Sequence, residues 1–107
     1  LPASQPTVTQ HEGSALAKKY HEEQSDGSML IDFSDRPLMI DGTEVKKLVM
    51  REPTVEDQTI AQKASSDQAE AEVATFANLT ELSPDTIKSF KLRQYGRLQA
   101  AYQDFLY

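Results

Sequence analysis

The stretch KKLVMREPTVEDQTIAQKA, residues 46–64, changes its period in the middle. Before Pro53 it reads as an extended run of apolar and β-branched residues, and after it as the beginning of a helix. Proline carries no backbone donor and biases Glu52 towards extended geometry, so a strand ends there. Thr54 can cap the following helix with its hydroxyl, and Asp57 supplies the return acid of a capping box. Glu56 and Asp57 also complement the positive end of the helix dipole. Arg51 stands where it can pair with Glu52, Glu56 or Asp57 across the corner. The hinge is therefore read as structural, a strand stop joined to a helix start.

Upstream of the hinge, MLIDF at 29–33 puts Met29, Ile31 and Phe33 on one alternation face and reads as a strand, turned by SDRP. LMI-DG-TEV at 38–45 is a hairpin signature, because Asp41-Gly42 can hold both central residues at positive φ. A third strand, Glu44 to Arg51, runs from that hairpin to the hinge. Two or three short antiparallel strands are not stable alone, so helices must cover them.

Downstream, Ser65 with Gln68 marks either a break after Ala64 or a kink in one long helix, and Ala69, Val73, Phe76 and Ala77 follow at helical spacing. Ser83 before Pro84 opens another helix anchored by Ile87 and Phe90. The last segment carries Leu92, Tyr95, Leu98, Tyr102, Phe105 and Leu106 on one broad stripe. Gly96 within it costs about 1 kcal/mol relative to alanine and suits a close helix crossing. The expected fold class is α+β: a small antiparallel β-meander or hairpin at about 29–51, then a bundle of three to four α-helices at about 54–106.

Composition limits what such a fold can do. Of 107 residues, 38 % are apolar, so the core is small. Residues 1–27 hold only Leu1, Val8, Leu16 and Tyr20 as large apolar side chains, and the mixture of Pro, Ser, Thr and Gln there reads as a disordered or weakly helical arm. A helix capped by Ser14 is the most it offers. Residues 28–107 form the single folded domain, of a size at which one core yields only about 3 to 5 kcal/mol. With no cysteine there is no disulfide to add to this, so self-association into a homo-oligomer is expected.

The net charge of −6 divides into −2 for residues 1–27 and −4 for the rest, and both parts repel a phosphate backbone. Nucleic acid is not an expected partner; Lys88, Lys91, Arg93 and Arg97 read as a solvated helix face. No apolar run approaches the roughly 18 residues of a membrane span, and no signal peptide is apparent, so a soluble intracellular protein without membrane contact is expected.

No constellation supports catalysis. His11-Glu12 and His21-Glu22-Glu23 lack the spacing of a helical metal site and read as a solvated tail, so neither metal nor cofactor is expected. No Gly-x-Ser-x-Gly is present, the glycines are not grouped around a phosphate, and no histidine follows residue 21. Asp32, Asp35 and Asp41 are read as turn and solvent-face residues. The chain is not expected to be an enzyme.

The order RPLMIDGTEVKKLVMREPTVEDQTIAQKA, then DQAEAEVATFANLTELSPDTI, then QYGRLQAAYQDFL resembles the tail assembly chaperone family of Mu-like and related contractile-tailed bacteriophages and prophages. The resemblance spans about residues 36–106 and is densest at Pro37, Asp41-Gly42, Leu48 and Arg51-Glu52-Pro53-Thr54 with Asp57. Gln94, before Tyr95, departs from the acid usual in the family. The resemblance implies a protein made in the host bacterial cytoplasm and absent from the mature virion. Such a protein binds the tape measure protein, keeps it soluble and helps recruit tail tube subunits. It also implies, for many relatives, a longer frameshifted form.

Excess apolar and aromatic side chains at the end of the chain place the expected partner contact at Leu98, Tyr102, Phe105, Leu106 and Tyr107, with Phe105 and Tyr107 foremost. Tyr95, Leu98 and Tyr102 equally suit packing on the sheet. Two rival functions are an acidic inhibitor mimicking DNA, against which the acids are interleaved with Lys and Arg, and a structural tail or capsid component kept in the virion.

Overall fold

The computed structural model describes residues 19–106. Among the described residues five short strands precede four helices: β1 (His21–Glu23), β2 (Met29–Asp32), β3 (Leu38–Ile40), β4 (Thr43–Val45), β5 (Lys47–Met50), then α1 (Val55–Ala64), α2 (Gln68–Thr80), α3 (Pro84–Lys88) and α4 (Leu92–Asp104). The α+β class is as the sequence implies, but the strands form two sheets. One is antiparallel with order β1-β2-β5, and the other is the β3-β4 hairpin. In the hairpin Ile40 faces Thr43 and Leu38 faces Val45. Asp41 and Gly42 at its tip have φ of 51° and 79°, as a two-residue turn requires.

Two expectations need correction here. The strand expected from Glu44 to Arg51 is divided, because the side-chain phase slips at Lys46: Val45 faces inward on one parity, Leu48 and Met50 on the other. A period of two cannot carry both sets to one core. β4 therefore stays with the hairpin while β5 turns to β2, pairing Met29 with Met50 and Ile31 with Leu48. The arm expected over 1–27 does not reach residue 27. Residues 21–23 form β1, an edge strand joined to β2 through backbone pairing, as His21 with Ile31 and Glu23 with Met29. Backbone bonds need no apolar side chains, so composition missed them. Residues 1–18, with Ser14, Leu16 and the His11-Glu12 pair, lie outside the described residues.

Met29, Ile31, Phe33, Leu38, Leu48 and Met50 present the strands' inner face to Phe76, Leu79, Ile87 and Leu98 of the helices. The chain breaks after Ala64, the first of the two alternatives. Asp67 caps α2 rather than Ser65, accepting from the Ala69 and Glu70 amides, and Ser65 accepts from Asp67 N instead. Ser83 caps α3 with Pro84 behind it, as expected. Leu92 falls out of the α4 stripe and is 87 % exposed, whereas Gln94, Arg97, Leu98 and Ala101 turn inward. A Cβ at Gly96 would meet nothing within 4 Å, so no close helix crossing occurs there.

Two polar joints fix the helices to the strands. At the hinge, Arg51 forks onto both oxygens of Asp57 at 2.8 and 2.9 Å. Thr54 closes the capping box, its amide donating to Asp57 at 2.8 Å and its hydroxyl accepting from Asp57 N at 3.2 Å. Asn78 of α2 also donates to Asp57. The Arg51 guanidinium and the Thr54 amide hold the Asp57 carboxyl far below its ordinary value. At the opposite end of β2, Arg97 of α4 forks onto Asp35 at 2.8 and 2.9 Å and donates to the Asp32 carbonyl at 3.0 Å. Its guanidinium carbon lies 3.5 Å from the Tyr20 ring centroid. Arg97 is buried, so the solvated basic face expected over 88–97 does not include it.

Replacing Asp57 by alanine is expected to cost about 3 kcal/mol, because a cap, a fork and the Asn78 contact go together. Arg51→Ala is expected to cost about 1 to 2 kcal/mol, since that side chain is half in water. Chemical denaturation of both variants checks the order. The Asp57 contribution is whole above the ordinary carboxyl pKa of 3.8 and is lost as pH falls towards the depressed folded value. The stability gap between the wild type and Asp57→Asn therefore narrows in acid. Arg97→Lys is expected to lose about 2 kcal/mol or more despite keeping its charge, because an ammonium cannot reproduce the fork and the stack. A melting temperature unchanged by Arg97→Lys would contradict this.

Candidate functional site

α4 is the element on which the candidate surfaces meet. Its first turn is hooked to the β2–β3 loop by Gln94, whose amide nitrogen donates to the carbonyls of Arg36 and Pro37 at 3.1 Å while its oxygen accepts from Lys91 N at 2.8 Å. A carboxylate has no proton to give two carbonyls, so an amide is the group that fits this position. Its middle is locked by Arg97. Its last turn is held by Asp104, which His21 bonds and Lys19 approaches at 3.8 Å. The bond from His21 holds the Asp104 carboxyl below its usual range.

Two clefts flank the helix. One, of about 470 Å³, is a trough between α1, α2 and α4, bordered by Gln58, Ala61 and Gln62 on α1, Ala71 and Thr75 on α2, and Tyr102 on α4. Its side chains are mostly small or uncharged. The carboxylate beside it, Glu72, is occupied, accepting from the Tyr95 hydroxyl at 2.6 Å and from Gln99 at 3.1 Å. Burial and that carboxylate push the Tyr95 phenol above its usual range, so it stays a donor. The other cleft, of about 430 Å³, lies between α4, the start of β1 and the β2–β3 loop, and is bordered by Lys19, Tyr20, Arg36, Arg93 and Arg97.

The residues expected to contact a partner separate in the structure. Leu98 is wholly buried and presents no surface. Tyr102 is half-buried, with its ring 5.5 Å from that of Phe76, and borders the trough. Phe105 is half-buried against the core, Leu106 is 50 % exposed, and Tyr107 lies outside the described residues. Other exposed apolar side chains, Met39, Val49, Val55, Ile60 and Leu92, are spread over β3, β5, α1 and α4. Of the motif residues, Pro37 lends its carbonyl to Gln94, Asp41 and Gly42 make the hairpin turn, and Arg51, Glu52, Pro53, Thr54 and Asp57 build the hinge.

Sequence reasoning missed Asp35, Arg97, Gln94 and His21. A signal existed for one of them: Arg97 lies beside Leu98 and four residues before Ala101, so a helix placing those two inside also brings Arg97 towards the core. Its partner, in the β2–β3 loop, carried none. Among the described residues no group of three or more His, Cys, Asp or Glu converges as a metal site, and no helix is long and apolar enough to cross a membrane.

A family model described as "Phage tail assembly chaperone proteins, E, or 41 or 14" matches residues 35–107. No curated protein and no solved structure matches. The matched region contains the hairpin, β5 and all four helices, with the hinge and both clefted faces of α4. It leaves out β2, although Met29, Ile31 and Phe33 from that part of the chain complete the core. This chain belongs to the phage tail assembly chaperone family.

Proposed function

We propose that this chaperone binds the tape measure protein, keeps it soluble, and helps bring tail tube subunits to it during tail morphogenesis. The observation that supports this reading most directly is the trough between α1, α2 and α4 in a member of a tail assembly chaperone family. A long helical client exposes apolar stripes that associate unless covered, and an amphipathic helix lying in a groove is a standard way of covering one. The trough's small side chains at Ala61 and Ala71 leave room for the side chains of an incoming helix. Tyr102 on its wall supplies apolar contact, and Leu106, two residues past the end of α4, is an exposed apolar side chain available to the same client. The net charge of −6 keeps the resulting complex dispersed.

In this role the protein transforms no substrate and needs no cofactor. It acts in the host bacterial cytoplasm and leaves before the virion is complete, so mass spectrometry of purified particles should find none of it. Its presence there in stoichiometric amount would favour a structural tail component instead.

The docking surface is tested by co-expression with the tape measure protein. Ala71→Arg, which fills the trough, and Leu106→Ala combined with Tyr107→Ala are each expected to lower co-purification of the tape measure by about fivefold or more, a loss of about 1 kcal/mol. Circular dichroism should remain unchanged. Undiminished co-purification by both variants would remove the trough and the end of α4 as the contact.

A further inference from the structure

The 430 Å³ cleft beside α4 is basic on a chain whose net charge is −6. Lys19, Arg36, Arg93 and Arg97 line it, and Asp35 is the acid among its described lining residues. Both oxygens of Asp35 are bound by Arg97. Arg36 and Arg93 are exposed and form no ion pair with any described residue. Lys19 makes only a 3.8 Å contact to Asp104, an acid already bonded by His21.

Exposed cations ordinarily do no more than solvate a surface. These two arginines differ in being attached to backbone that is held in place. The Arg36 amide donates to the Phe33 carbonyl at 3.0 Å, and the Arg36 carbonyl accepts from Gln94 at 3.1 Å. Arg93 directly precedes Gln94 in the first turn of α4, so the two guanidinium groups start from opposite sides of one hydrogen bond. Arg93, Gly96, Arg97 and Ala100 then recur at helical spacing along one face of α4 and border the cleft together. Glycine is a poor helix former, and nothing within the chain requires it here, since an added Cβ would meet nothing within 4 Å. Its effect is to leave the space between the cations open. How a carboxylate sits in this cleft is already displayed by Asp35, held by the Arg97 fork at 2.8 and 2.9 Å.

We propose that the cleft binds a short acidic segment of a partner polypeptide, with Arg36 and Arg93 forking onto its carboxylates and Lys19 adding charge. Arginine suits this task because its planar donors match a carboxylate in pairs. A nucleic acid fits less well. A duplex carries a charge about every 1.7 Å and would press its remaining phosphates against a surface with an excess of acids. A peptide whose acids are confined to a few residues ends where the cleft ends, and the cleft lies within the range of about 300 to 1,000 Å³ common to ligand sites. The trough on the other side of α4 carries Glu72 and no lining cation, so the two faces of one helix sort their occupants by charge. Binding in the cleft needs nothing in the trough and stands apart from tape measure binding.

Fluorescence anisotropy of a labelled oligoglutamate peptide, titrated with the full chain, tests this. The wild type is expected to bind at about 50 mM salt, and to bind about tenfold or more weakly at about 500 mM. Arg36→Glu with Arg93→Glu should lower the affinity about tenfold or more. Lys46→Glu with Lys63→Glu makes the same change of net charge away from the cleft and should lower it by less than about threefold. Gly96→Gln, which occupies the cleft without changing charge, should weaken binding, whereas Ala71→Gln, which narrows the trough, should leave it unchanged. Circular dichroism and melting temperature verify that each variant folds. A wild type that does not bind the peptide, equal losses from the two double reversals, undiminished binding by Gly96→Gln, or tighter binding of a short DNA duplex than of the peptide would each overturn the proposal.

Discussion

The Asp57 carboxylate is the point on which sheet and helices agree. It takes the Arg51 fork from the end of β5, the Thr54 amide and hydroxyl from the helix cap, and the Asn78 amide from α2. A charge this little exposed is tolerable only with such a complete set of donors, and each donor comes from a differently placed piece of backbone. Satisfying one group therefore sets the angle at which the chain leaves the strand, starts α1 and meets α2. With a core this small, polar geometry settles an orientation that larger proteins settle by volume.

Arg97 plays the corresponding part at the far end. It joins α4 to the Asp32 carbonyl, the Asp35 carboxylate and the Tyr20 ring, so the last helix is tied to the earliest described part of the chain. The family match begins only at Asp35, yet the guanidinium depends for its stack on a residue before that boundary. Residues outside the shared segment thus help orient the helix that borders both clefts.

What could be read from sequence follows contact range. The Thr54-Asp57 box, the Asp41-Gly42 turn and the Ser83-Pro84 start each lie within a few residues, and all three stand in the structure where the pattern put them. The Lys46 slip was visible as a change of parity between Val45 and Leu48, across the Lys46-Lys47 pair that parts the two apolar sets. Contacts between distant segments left no local trace: Arg97 meets Asp35 from 62 residues away, and Gln94 reaches Pro37 from 57. The apolar stripe of the last helix was ambiguous from sequence, since the same residues build the core. Leu98 went inward and Leu92 outward because the helix phase is set by Gln94 and Arg97, polar residues that a search for apolar periodicity ignores.

α1 conceals only Asp57 and Ala61. Swinging it outward would wet little grease, so what restrains it is a latch of ions and amides. The wall that α1 gives to the trough is accordingly placed by polar contacts at one end of the helix and not by buried apolar surface.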